Sequence, residues 1–166
     1  MPCNRLPSEH IKIRLLSGEL VDLVSSPTPC DSELLAAKRW ELARVVHLHL
    51  AYEDRQLFQR LMVDRRAEVR AAALEGKRCI EQLHGLYRAH VERWTAGELV
   101  THWQEFQTAV KALVRRMTLR MDSEERELFP LLNDEDEILP RWQPGARNWA
   151  GDGVAQPLIQ GVGVTR

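Results

Sequence analysis

The chain has 166 residues and is poor in the features that define several common protein classes. It holds three cysteines, Cys3, Cys30 and Cys79, an odd number at wide spacing with no Cys-x-x-Cys pair. That pattern argues against a disulfide framework and fits a reducing compartment, so a cytoplasmic location is expected. No window approaches the roughly 20 apolar residues of a membrane span, and the N-terminal Met1 to Pro7 lacks an apolar leader core. Neither membrane insertion nor secretion is expected. The net charge of −1 leaves no global attraction to nucleic acid or to an acidic surface. Phosphate-cradling loops, nucleotide fingerprints and a nucleophile beside an activating base are all missing, which gives little basis for an enzymatic assignment. Alternating strand patterns are missing as well.

What the chain does have is helical periodicity. Four apolar stripes at spacings of three and four are separated by three punctuated turns, which predicts an all-α, antiparallel up-down-up-down four-helix bundle. The first helix is expected from about Ser8, as N-cap, to Val24, with Ile13, Leu16, Leu20 and Leu23 inward. The second starts after Asp31 or Ser32 and runs to about Met62, with the inward row Leu35, Leu42, Val46, His49, Glu53 and Leu57. The third, about Arg66 to Trp94, is weakened by Gly76 and Gly85 and offers more than one inward register. The fourth, about Ala96 to Leu132, carries the row Trp103, Phe106, Val110, Leu113 and Met117. From Asn133 onward an acidic run gives way to a stretch rich in Pro and Gly without periodicity, so residues 8–132 are expected to form the bundle and 133–166 an irregular, mobile tail.

Two stretches of the chain repeat one another. Leu48 to Phe58 aligns without a gap with Leu119 to Phe129, sharing a Leu, an acid, an Arg and a Leu-Phe pair. In the first copy His49 and Glu53 stand one helical turn apart and can hold one cation between them. The second copy has Arg120 and Glu124, and an arginine cannot ligate a cation. Both continue an apolar row, so both are expected to face the interior, where each needs a partner. Reflecting the level of His49 through the first turn lands at roughly residue 9, next to His10. The same level on the third helix falls at roughly residues 74 to 81, a window with Glu75, Cys79 and Glu81 but no histidine. His84 lies about one turn beyond it.

These residues resemble the hemerythrin family, whose cation-binding domains are four-helix bundles that carry a histidine on the first helix, His-x-x-x-Glu on the second, one or two histidines on the third, and His-x-x-x-Glu or Asp on the fourth. Glu9-His10 looks like the opening helix, His49-x-x-x-Glu53-x-x-x-Leu57-Phe58 matches the second motif, and Glu124-Glu125-x-x-Leu128-Phe129-Pro130 matches the end of the last. Arg120 stands where that motif has its histidine. The resemblance implies a metal site drawn from His10, His49, Glu53, Glu124 and His84, with iron as cofactor, one ion or a partial di-iron pair.

Three functions compete on this reading. One is a hemerythrin-like cation-binding bundle with iron and dioxygen as its ligands, serving oxygen, redox or iron sensing. Another is a metal-free regulatory bundle with a protein partner, in which the Arg120 guanidinium replaces the cation by bridging Glu53 and Glu124. The third is a di-iron oxidase or ferritin-like enzyme, which needs Glu-x-x-His twice, whereas the chain has it once, at Glu81 to His84.

Overall fold

Four apolar helical faces require a shared interior, and a helical bundle supplies it. The computed structural model describes residues 5–132, so the tail expected over 133–166 lies outside the described residues. The helices are α1 (Arg5–Val24), α2 (Ser32–Glu53), α3 (Gln59–Leu61), α4 (Ala67–Arg93), α5 (Ala96–Thr101) and α6 (Trp103–Ser123). A π-helical turn, Asp54–Phe58, joins α2 to α3, and a second, Glu124–Leu128, follows α6. Four long rods result, formed by α1, α2 with α3, α4, and α6 with its continuation.

The two apolar clusters fix the antiparallel arrangement. One gathers Leu6, Leu57, Phe58, Leu61, Val69, Ala73 and Leu128, from the start of α1, the end of the second rod, the start of α4 and the end of the fourth rod. The other gathers Val24, Leu35, Trp94, Leu99 and Trp103, from the opposite ends of the same rods. Phe129 packs against the cluster that contains Phe58, so the two repeat copies finish at the same end of the bundle.

Local chemistry sets the helix ends. Asp31 caps α2 by accepting a hydrogen bond from the Leu34 amide at 2.8 Å, a contact of a type worth about 1 kcal/mol. Ser8, expected to cap α1, instead lies inside it, with Arg5 already helical and the Ser8 hydroxyl donating back to the Arg5 carbonyl at 2.7 Å. The fourth rod, expected to be continuous from Ala96, breaks at His102, whose backbone (φ −121°, ψ 48°) is not helical. The break turns Trp103 and Gln107 toward the end of α1. Trp103 Nε1 donates to the Ser26 carbonyl at 2.9 Å, and Gln107 Nε2 donates to the carbonyls of Val24 and Ser26 at 2.6 and 2.7 Å. These bonds satisfy carbonyls that the end of a helix leaves orphaned.

The register of α4, ambiguous in the sequence, is resolved by its buried residues Val69, Ala73 and Ile80. Gly76 falls on the same face. A Cβ there would stand 2.9 Å from Leu128 Cδ1 and 3.0 Å from Phe58 Cε1, so the absence of a side chain is what lets α4 close on the two repeat copies. Of the row on α6, Trp103, Phe106 and Val110 are buried, while Leu113 and Met117 are half-buried because they border internal cavities.

Candidate metal centre

Between the two apolar clusters lies a belt of buried polar side chains: His10 from α1, His49 and Glu53 from α2, and Glu124 at the first π-helical residue after α6. His10 and Glu53 are fully buried. Both glutamates lie where an α-helix meets a π-helical turn, a local widening of the backbone often found at functional sites.

The two imidazoles are oriented by carboxylates. His10 Nδ1 is 2.7 Å from Glu125 Oε1, and His49 Nδ1 is 3.0 Å from Glu9 Oε2. Each carboxylate is in turn held by an arginine. Arg14 donates to Glu125 at 2.8 Å and also to Asp122 at 2.7 Å, while Arg5 Nε donates to Glu9. Burial opposes the ionisation of both glutamates, but it is outweighed at Glu9 by His49 and Arg5 and at Glu125 by Arg14 and His10, so both lie below the usual carboxylate range. An ionised carboxylate only accepts hydrogen bonds, which assigns the ring proton of each histidine to Nδ1.

Both Nε2 atoms then point inward, toward one another. They lie 3.2 Å apart, and Glu124 Oε2 is 3.3 Å from His10 Nε2. The ligand atoms of His10, His49 and Glu124 all fall within 4.8 Å of one another. Two donors bonded to one ion at about 2.1 Å stand about 3.0–3.4 Å apart, so the separations around His10 suit a shared cation. Carboxylate partners on the outer nitrogens are the usual support of metal-bound histidines.

Glu53 lies at the edge of this triad, its Oε2 3.8 Å from His49 Nε2. Among the described residues, no donor reaches either of its oxygens. Burial, reinforced by the neighbouring Glu124 charge, holds its carboxyl well above the usual range, so Glu53 keeps its proton. Glu124 goes the other way: burial opposes its ionisation, yet His10, the protonated Glu53 and Arg120 together hold it below the usual range. Arg120 pairs directly with Glu124 Oε1 and is 3.9 Å from Glu53 Oε1, with its guanidinium 5.9 Å from the Phe58 ring centre. The bridge expected between the two glutamates is thus lopsided toward Glu124.

The structure brings together His10, His49, Glu53 and Glu124 but leaves His84 out of the triad. His84 lines a cavity of about 60 Å³ beside it, walled also by Ile80, Leu113 and Met117. From α4, Ile80, Leu83, His84 and Tyr87 line that cavity, and none of them joins the triad. Glu9 and Glu125 were not assigned roles from the sequence. Their signal is adjacency, since each sits one residue from a site residue, but adjacency on a helix does not by itself place two side chains in one site.

A model of the family described as hemerythrin HHE cation binding domain matches residues 1–132. No curated protein and no solved structure gives a significant match. Among the described residues, no helix is long and apolar enough to cross a membrane.

Proposed function

The chain belongs to the hemerythrin HHE cation-binding family, whose domains are typically carriers of oxygen or metal rather than catalysts, and we propose that it binds a single iron(II) ion for oxygen, redox or iron sensing in the cytoplasm. His10, His49 and Glu124 would hold the ion, with Glu53 as a nearby carboxylate. The observation that carries this reading is the gathering of His10 Nε2, His49 Nε2 and a Glu124 oxygen in one buried site, with 3.2 Å between the two nitrogens and 3.3 Å from His10 Nε2 to the carboxylate. Two imidazoles beside a buried carboxylate form a donor set that a cation can satisfy. Two histidines and one carboxylate form a donor set suited to iron(II), which when bound supplies open coordination positions and a change of oxidation state. The chain's own residues do the rest: Glu125 and Glu9 fix the imidazoles, and the apolar walls of the adjoining cavity limit water.

A second ion is not part of the proposal. Arg120 brings a fixed positive charge to the side of Glu124 away from His10, and α4 contributes no residue to the group formed by His10, His49 and Glu124. The same arginine favours the rival reading, a metal-free bundle in which the Arg120 guanidinium does the work of the cation. Anaerobic reconstitution with iron(II), followed by desalting and elemental analysis, separates them. About one iron per chain, lost in His49→Ala, is expected. No retained iron would favour the metal-free reading, and two would show that Arg120 does not exclude the second ion. The oxidase reading draws no support from His84, which does not join the cluster.

A further inference from the structure

A second cavity, of about 50 Å³, lies toward the other end of the bundle, between α1, α2, α4 and α6. Its walls are apolar, with Leu20, Val110 and Val114 among them, except at one side where Arg39, Tyr87 and His90 come together. Ala43, Val46, Tyr87, Leu113 and Met117 border this cavity and the one beside the metal centre, so the two adjoin through shared walls. Among the described residues, no acidic side chain lines it.

Arg39 is the unusual group. Its side chain is half-buried, donates one hydrogen bond to the Trp94 carbonyl at 3.2 Å, and lies over the Phe106 ring with 5.4 Å to the ring centre. Among the described residues it has no carboxylate within ion-pair distance, unlike Arg5, Arg14, Arg66, Arg93 and Arg120. Burial lowers its pKa, with only Tyr87 acting in the other direction. A guanidinium has five donors in a planar fork that matches a carboxylate, so a largely desolvated one with a single carbonyl partner is short of an anion.

We propose that this cavity is a binding site for a small aliphatic monocarboxylate, its carboxylate on Arg39 with Tyr87 beside it and its alkyl chain along Leu20, Val110 and Val114. An apolar cavity of about 150 Å³ holds benzene, so about 50 Å³ accommodates roughly two carbon atoms, and the shared walls leave room for a third. Inorganic anions and larger fatty acids fit poorly, the former because the walls cannot solvate them and the latter by size. The site is separate from His10, His49 and Glu124 and does not depend on metal binding there.

The test titrates the full-length chain with butanoate and, separately, with 1-butanol, following the methyl resonances of Val110, Val114 and Met117. Butanoate is expected to shift these methyls and to bind about tenfold more tightly than the alcohol, the range of a charge-assisted hydrogen bond. Arg39→Met should remove that preference while leaving butanol binding in place, and Val114→Phe should fill the cavity and weaken both ligands. Equal affinity of the unaltered chain for butanoate and butanol would overturn the proposal, whatever the variants do. So would butanoate binding that survives Arg39→Met but disappears in His49→Ala, because the carboxylate would then be sitting at the metal centre.

Discussion

Replacing Arg120 by leucine tests the electrostatics of the centre most directly. The Arg120 side chain is 10% exposed, and those of its partners Glu124 and Glu53 are 2% and 0% exposed. Removing one member of such a buried pair costs about 3–5 kcal/mol, because the other is left charged without compensation. Two features reduce the loss. Glu124 keeps His10 at 3.3 Å, and the leucine buries apolar surface worth about 1–2 kcal/mol. A net destabilisation of about 2–3 kcal/mol is expected in metal-free protein, equivalent to a fall in Tm of about 10 °C. Urea denaturation followed by far-ultraviolet circular dichroism, after chelation of metal, gives the free energy. Arg120→Lys, which keeps the charge but loses the fork, should lose less than half as much. Added iron(II) should recover part of the loss in Arg120→Leu, since a cation at Glu124 supplies the missing charge. A leucine variant within about 0.5 kcal/mol of the parent, the spread of an unremarkable surface substitution, would refute the view that Arg120 neutralises the buried Glu124 carboxylate.

Further outcomes follow from the same geometry. Arg120→His restores a histidine one turn before Glu124 and removes the fixed charge, so iron content after anaerobic loading should rise above one per chain, as read by elemental analysis; an unchanged content would place the obstacle to a second ion on α4 instead. Gly76→Ala should destabilise by about 1 kcal/mol, because the clash with Phe58 and Leu128 outweighs the gain in helix propensity, whereas Gly85→Ala, with nothing near its Cβ, should stabilise by about 1 kcal/mol. Equal effects at the two glycines in thermal melts would contradict the packing of α4. His90, packed near Trp94 and Phe106, has its pKa lowered to about 4 by burial, with Arg39 adding to the shift. The folded state therefore binds fewer protons than the unfolded state between about pH 6.5 and 4, and this residue's contribution, present above that window, is lost as the pH falls through it. From pH 7 to 5 the loss amounts to at most about 2 kcal/mol, and His90→Gln should show a correspondingly shallower decline in denaturation free energy over that range.

The sequence by itself determined the helices and the common level of His10, His49, Glu53 and Glu124. Periodicity of three and four marks a helix because its side chains repeat every 3.6 residues, and the ungapped repeat put Glu53 and Glu124 at one level because helical rise is uniform. His10 was found by the same argument, from chain length alone. Tertiary structure decided what depends on rotation and close approach. The inward face of α4 was ambiguous because alanines and glycines make a helix nearly featureless, and only the fit of Gly76 against Phe58 and Leu128 selects it. That choice brings Ile80 to the cavity wall and keeps His84 out of the triad. The break at His102 was hidden within a good apolar pattern, since the row from Trp103 onward keeps its spacing whether or not the helix is continuous before it. Glu9 and Glu125 became partners of His49 and His10 through the orientation of α1 against its neighbours, a contact between helices that no spacing along one chain segment encodes. The tilt of Arg120 toward Glu124 likewise follows from local reach: the two share one helical turn, whereas Glu53 is on another rod at 3.9 Å.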